Sequence, residues 1–545
     1  MKYSRRQTNT GNQLADLHMR DFEKVAHLYD GQNPGHLDTY RQRAEALEMR
    51  FSSEHRHNLV AALVPYLKAT NASNSALQQV ERLRDRRAVA VVTGQQSGLF
   101  LGPMYSIYKA LSAIGLASRL EEDLKRPVVP VFWIASEDHD FGEVDHAYLV
   151  DSENDIQRLR LSIEPHPHQM VYHQGLTAEA VNQVIAQANA VLPDASFKSE
   201  CIASIREAFQ PGMSLSTWFA VVLNQVLGDY GLVLVDPCLP QLRELVAPVW
   251  RTTLENVLPL RKNLDEVYQN VKSLGVEPAV IRDRSNTTMF YVEDGKRYVL
   301  QADDRGEMLT ARQLDLTQPL GDWLKLAEEN PSAFSSNVLL RPVVQDNLLP
   351  TLCYVGGGAE ISYHPLSAGV FHTHQLTLPP LLLRQRMTLV PPAVQRSMNQ
   401  FHVNHDIYEH PVNLVDKALA NEGGDEIAFQ ISALKQDIES KWERFADRLA
   451  YLGPQIEEIA KNQAQKEQAG AERVRKKTEL LLERQQQDKV RKLRGIERWL
   501  WTDGHLQERR LSLIAFWSRF GVDWIKELPR WADYQCQGVV YQVEL

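Results

Sequence analysis

Cysteine is scarce in this chain: four among 545 residues (Cys201, Cys238, Cys353, Cys536), far apart and with no Cys-x-x-Cys pair. That excludes a disulfide framework or a zinc ribbon as the organising device, and reads the thiols as free and mostly buried. Long hydrophobic runs are missing too. No stretch approaches the about 18 apolar residues of a membrane span. The opening "MKYSRRQTNTGNQLADLH" carries basic residues but no apolar segment of signal-peptide length. Nor is there a basic excess: 60 Lys and Arg face 69 Asp and Glu, a formal charge of -9, which argues against sequence-independent binding to nucleic acid. Neither a membrane nor a nucleic-acid partner is expected, and the expected location is cytoplasmic.

What is there is ordinary globular material, 43% hydrophobic and 24% charged, long enough for two or more domains. Residues 1–85 read as a helical N-terminal segment, with apolar residues at spacings of three and four in "LVAALVPYLKATNASNSALQQVERL". At "AVAVVTGQQSGLFLGPMYSIYKALSAIGLASRL" the pattern becomes strand (88–92), glycine-rich loop and an amphipathic helix opened by Pro103. The strand character returns at 127–135 and in "GLVLVDP" at 231–237. Strands apolar on both faces that alternate with helices predict an α/β core with a parallel sheet. This core is expected to span 86–390, with insertions at about 150–212 and 250–330. In the second insertion, "TTMFYVEDGKRYVLQ" reads as a hairpin turning at Asp294-Gly295.

A C-terminal helical domain is expected over 391–545. From Ile427, apolar residues recur at 427, 431, 434, 438, 442, 445, 449 and 452, and Gly453-Pro454 separates that seam from a charged helical segment reaching about 500. Helix, break and helix predict an antiparallel coiled-coil hairpin, and its ridge suits a homodimer; a hairpin packed on its own core is the alternative.

In open parallel sheets, ligands bind where strands end, and three polar clusters sit at predicted strand ends. The first is "TGQQSGLFLGP", with Gly94, Gln95, Gln96, Gly98 and Gly102, followed by Tyr105 and Lys109. It matches neither phosphate-loop motif, but its glycines admit close backbone approach and the following helix points N–H groups at an anion. A mere connecting turn is the competing reading. The second is "PVVPVFWIASEDHDFGEVDH", an apolar strand ending in Glu137, Asp138, His139 and Asp140. Bunched carboxylates repel one another unless a cation relieves them, which suits Mg²⁺ or an ammonium group, with His139 exchanging protons; one of the acids is expected to cap a helix instead. The third is "LLRPVVQDNLLPTLCYVGGGAEISYH", holding Arg341, Gln345, Asp346, Gly356, Gly357, Gly358, Glu360 and Tyr363. Arg341 can grip a carboxylate with two parallel N–H groups, or pair with Asp346. The histidines at 372, 374, 402, 405 and 410 have loose metal-like spacing without supporting acids or cysteines, and read as surface residues.

Taken in order, "TGQQSGLFLGPMYSIYK", "PVFWIASEDHDFGEVDH", "GLVLVDP", "LLRPVVQDNLLPT" with "CYVGGG" and, beyond the coiled coil, "GHLQERRLS" resemble the bacillithiol biosynthesis cysteine-adding enzyme family, its cysteine ligase. The resemblance implies a Rossmann-like core laid out as in class I aminoacyl-tRNA synthetases, connecting insertions and a coiled coil used in dimerisation. It implies the last pathway step, amide formation between the carboxyl group of L-cysteine and the amine of glucosaminyl-malate. Carried over, the family's glutamine-glycine loop falls on Gln95, Gln96 and Gly98, and its acid-histidine-acid segment on Glu137 to Asp140. The chain departs from the family at "SYHPLSAGVFHTH", where many relatives continue with Tyr-Trp and Gln-Leu, which puts substrate detail near His364 in question.

An amide made from a free carboxylate needs activation, so ATP and Mg²⁺ are expected, through an aminoacyl-adenylate or an acyl phosphate; analogy of layout favours the first. The roles assigned on this basis are phosphate binding by loop 94–103, Mg²⁺ or ammonium binding by Asp138 or Asp140, proton removal by His139 and malate binding by Arg341. A non-catalytic pathway scaffold or sensor, and a nucleotidyltransferase activating another amino acid, are the alternatives.

Overall fold

The computed structural model describes residues 2–403, 413–535 and 537–545, so Cys536, His405 and His410 lie outside the described residues. The chain divides into one unit of residues 1–389 with 507–545 and a second of residues 390–506. The expected C-terminal domain of 391–545 extends beyond this second unit, since its last 39 residues, 507–545, group with the first unit. The reason is a long-range pairing: Val539–Glu544 forms an antiparallel ladder with Lys2–Gln7, from Lys2 opposite Glu544 to Gln7 opposite Val539. The N-terminal 85 residues likewise belong to the first unit, with helices at Leu37–Arg50, Ser53–Ala69 and Asn74–Arg82.

The first unit is built on five parallel strands: β1 (Val89–Gln95), β2 (Val128–Ile134), β3 (Val233–Val235), β4 (Thr351–Gly356) and β5 (Leu381–Leu383), in the spatial order β5-β4-β1-β2-β3. All seven residues of β2 are buried, including every β-branched side chain, as expected of a strand covered on both faces. The chain leaves β1 toward β2 and β3, then crosses back to lay β4 on the other side of β1. The order therefore reverses at β1, which opens a crevice at the strands' carboxyl ends.

Helix α1 (Tyr105–Leu124) follows β1, begins two residues beyond Pro103, and buries 13 of its 20 residues rather than one face. It is enclosed because the sheet covers one side and the returning C-terminal segment, including the turn at Pro529–Trp531, covers another. Helices α2 (Arg341–Leu348) and α3 (Gly358–Tyr363) flank β4. The insertions contain a strand pair, His146–Val150 with Ile156–Arg160, and a five-stranded antiparallel sheet. The expected hairpin lies in that sheet, with Glu293 opposite Lys296 across a two-residue turn whose Asp294 and Gly295 both have positive φ.

In the second unit, α4 (Asp425–Arg448) and α5 (Gln455–Gln485) form the expected antiparallel hairpin, turned at Gly453 with φ 111°. Lys435 Nζ bonds Glu472 at 2.5 Å across the pair. The seam is only partly covered: Ile431, Ala460 and Ala464 are buried, while Leu434, Phe445 and Leu452 remain 44%, 41% and 57% exposed. Among the described residues, no helix is long and apolar enough to cross a membrane.

Candidate functional site

A cavity of about 560 Å³ occupies the crevice at the carboxyl ends of β1, β2 and β4. It gathers the three clusters that the sequence spaces 40 to 260 residues apart. Gly94, Gln95 and Gln96 come from the end of β1, and Tyr105 and Lys109 from the first turns of α1. Glu137, Asp138 and His139 follow β2; Arg341, Gly357, Gly358, Glu360 and Tyr363 surround the end of β4.

One side of the crevice is held by a buried ion pair. Lys109, 3% exposed, donates to Gly94 O at 2.9 Å and to Gln95 Oε1 at 2.7 Å, and pairs with Glu360. Glu360 also accepts from Tyr354 Oη at 2.6 Å and from the Gly357 amide at 2.8 Å. Burial alone would raise the Glu360 pKa, but Lys109 and these donors bring it down to about 2. Lys109 thus ties the end of β1 to the end of β4, and its three protons are already engaged.

At the opposite side, Glu137 is 5% exposed and bound by Arg243 Nη2 at 2.6 Å and Ser336 Oγ at 3.3 Å. Asp138 accepts from Gln96 Nε2 at 2.7 Å and from the His139 amide at 2.8 Å, with Arg297 Nη1 3.7 Å away. Burial pushes the Asp138 pKa up, yet Arg297 and these bonds outweigh it and hold the carboxyl below its usual range. His139 keeps an Nδ1 with no hydrogen-bond partner, and burial followed by the charge of Arg297 lowers its pKa, so the ring is neutral at pH 7.

Several expected site residues fall elsewhere. Asp140 is exposed and outside the cavity, because the turn after β2 carries it past the rim; it takes the N-cap position of Phe141–Val144 without a side-chain capping bond. Gly98 and Gly102 face a smaller adjoining cavity of about 310 Å³. Their spacing answers a packing need: a Cβ on Gly98 would lie 2.8 Å from Gly102 Cα, and Gly102 has φ +65°. The α1 N-terminus is also less free than expected, since the Met104 amide bonds Leu511 O and the Ser106 amide bonds Pro103 O.

Gln345 is buried and accepts from Arg341 Nη1 at 3.0 Å, while Gly356 lies behind the lining. Asp346 is not the partner of Arg341; it is fully buried and bound by Arg43 at 2.5 Å and Arg50 at 2.7 Å. His364 is 1% exposed, packed against Tyr354 and Tyr363, and does not line the cavity. Of the other histidines with metal-like spacing, His372 pairs with Asp30 and His374 bonds Thr253.

Sequence reasoning missed Phe290, Arg297, Ser336, Arg384 and Arg509, all in the cavity wall. Phe290 and Arg297 come from the inserted antiparallel sheet, and no local signal marks them. Arg509 stands inside "GHLQERRLS", so that quoted block was the available signal. With them the lining carries Lys109, Arg297, Arg341, Arg384 and Arg509 against Glu137, Asp138 and Glu360, an excess of positive charge.

That donor set suits anionic groups, carboxylate or phosphate, and Arg341 Nη2 and Arg384 Nε have no partner. It does not suit a metal held by the acids of 137–140. Glu137 is engaged by Arg243, Asp138 by Gln96, Asp140 is outside, and among the described residues no three His, Cys, Asp or Glu side chains converge on a metal-sized site.

Comparison with known proteins agrees with this architecture. The signature described as "Bacillithiol biosynthesis BshC, N-terminal Rossmann-like domain" matches residues 1–385, and "Bacillithiol biosynthesis BshC, C-terminal coiled-coil domain" matches 387–532. A protein of Heliobacterium modesticaldum is 31% identical over 475 residues, covering 85% of this chain and 86% of its own. One of Symbiobacterium thermophilum is 30% identical over 94% of each, and one of Desulforamulus reducens 28% over 94% of each. All three carry the name "Putative cysteine ligase BshC". A Rossmann-like unit followed by a coiled coil, matched along nearly the whole chain, makes this protein a member of the bacillithiol biosynthesis BshC family.

Proposed function

We propose that the protein is an ATP-dependent ligase that joins the carboxyl group of L-cysteine to the amine of glucosaminyl-malate, the last step of bacillithiol biosynthesis. The observation that carries this reading is the division of the cavity: a neutral His139 beside Asp138 on one side, and guanidinium groups with unspent donors, Arg341 and Arg384, on the other. The malate carboxylates suit Arg341, whose fork accepts a carboxylate with two bonds. Placed there, the acceptor brings its amine toward His139, which takes the proton released as the amide forms. Asp138, kept ionised by Arg297 and Gln96, suits the ammonium group of cysteine.

ATP, when bound, supplies the activation of the cysteine carboxyl group; Gln95 and Arg509 would hold its phosphates. Mg²⁺ would enter with the phosphate oxygens, since the described carboxylates offer it no cluster. The partly exposed seam of α4 supports a homodimer through the hairpin, and the chain is expected to act in the cytoplasm.

Purified protein incubated with cysteine, glucosaminyl-malate, ATP and Mg²⁺ is expected to yield bacillithiol by mass spectrometry, with loss of product when any one component is omitted. Acceptor binding without product would assign a sensor or scaffold. Pyrophosphate exchange with another amino acid, and none with cysteine, would assign a different activating enzyme.

A further inference from the structure

Apart from Arg509, the "GHLQERRLS" block has no role in the reaction described so far, yet it reaches the cavity. The chain leaves the first unit after Leu389 and re-enters at Gln507. At that junction Gln507 clamps both backbone groups of Leu389 at 2.8 Å. The next residue, Glu508, binds Arg384 with two parallel bonds, 2.7 Å to Nη2 and 2.8 Å to Nη1. Ser512 Oγ then bonds Phe100 O at 2.8 Å, and the Met104 amide bonds Leu511 O, fastening the block to the glycine-rich loop.

Arg384 and Glu508 are 6% and 4% exposed. A buried guanidinium needs its charge matched and its donors engaged; Glu508 and Gln385 O take both N–H groups of Nη1, and Glu508 takes one of Nη2. Nε stays without a partner. It lies 4.0 Å from where a side chain on the cavity-lining Gly357 would begin. The arrangement leaves one charged donor aimed at the cavity while the carboxylate holds the plane of the guanidinium fixed.

We infer that Arg384 is an anion-binding residue of the cavity and that Glu508, reached by the chain only after the helical unit, is its positioning residue. The anion is a carboxylate or phosphate group of a substrate. The inference rests on the proposed ligand chemistry but not on turnover, so binding measurements test it even if no ligation occurs.

The experiment is calorimetric titration of the full chain with L-malate and, separately, with pyrophosphate, for wild type, Glu508→Gln, Arg384→Gln and the double variant. Wild type is expected to bind at least one of them, and the two arms decide whether the anion is carboxylate or phosphate. Each single change is expected to weaken that binding about tenfold, the worth of one charge-assisted bond. Because Glu508 acts through Arg384, the double variant loses no more than either single one. Glu508→Asp keeps part of the affinity. Should a glutamine variant fail to fold by circular dichroism, Arg384→Lys keeps the charge without the fork and is expected to show the same loss. No binding of either anion by wild type, unchanged affinity in the variants, or losses that multiply in the double variant would overturn the inference.

Discussion

Gly115→Ala tests whether the C-terminal segment packs on α1. In an exposed or loosely packed helix, Gly to Ala stabilises by about 1 kcal/mol. At position 115, however, the added Cβ would lie 1.8 Å from Pro529 O and 2.8 Å from Ala532 Cβ. Ordinary contact with a carbonyl oxygen needs roughly 1.5 Å more, a shift that packed backbone resists. Overpacking of this kind costs about 1–3 kcal/mol and occasionally more, and a backbone clash this close falls at the upper end, so it outweighs the helix propensity gain and reverses the sign. Differential scanning calorimetry and urea unfolding of the Gly115→Ala protein should show net destabilisation of the first unit by about 1–2 kcal/mol. Because a 545-residue chain of two units need not unfold in one step, the first transition is compared with wild type rather than a single global value. A stabilised variant would mean that residues 529–532 do not sit on α1, and the assignment of 507–545 to the first unit would fall with it.

Other consequences follow from the site and the core. The rate should rise with pH along a limb whose midpoint lies below 6.5, where neutral His139 appears; Arg297→Gln should move that midpoint upward, and His139→Gln should lose both the limb and most of the activity. A limb that survives in His139→Gln removes this residue from proton transfer. Glu137→Ala should cost about 3–5 kcal/mol in thermal unfolding by leaving Arg243 buried and unmatched, whereas Glu137→Gln keeps a hydrogen-bond acceptor and should cost less. Equal losses would show that the charge pairing is unimportant. His18, 1% exposed and held at a pKa of about 3 by burial, stays neutral in the folded chain while its unfolded counterpart takes a proton below pH 6.5. Stability therefore falls by about 1.4 kcal/mol per pH unit from 6.5 downward on this account, and His18→Phe should show a shallower decline between pH 6 and 4 by equilibrium unfolding.

The parallel strands were legible because β1 and β2 are continuous apolar runs bounded by turn residues, a local property. The hairpin at Asp294-Gly295 was legible for the same reason, through two residues suited to positive φ. The helical hairpin was marked by its seam and by Gly453. Boundaries that depend on distant pairing were not legible. Nothing in "VVYQVEL" announces that it lies beside "KYSRRQ" at the other end of the chain, and Pro103 marked the start of α1 only to within two residues.

For the site, the same division holds. Residues that follow core strands, Gln95, Gln96, Asp138, His139 and Glu360, could be named from the apolar run that precedes them, and Arg341 from the apolar residues on either side of it. Asp140 and Gly98 have the same residue chemistry and nearly the same positions, yet the turn geometry turns one outward and packs the other against Gly102. The wall residues Phe290 and Arg297 of the inserted sheet and Arg384 after β5 have no local pattern that separates them from surface arginines and aromatics, whereas Glu508 and Arg509 stand in the "GHLQERRLS" block.

By itself the sequence determined which segments form strands and helices, since periodicity and turn chemistry act between near neighbours. Only the tertiary structure decided which charges meet. Whether Glu137 binds a metal or an arginine, whether Lys109 is free or spent, and whether Arg384 faces water or a cavity depend on groups up to hundreds of residues away. At such buried positions the cost of an unmatched charge selects the partner.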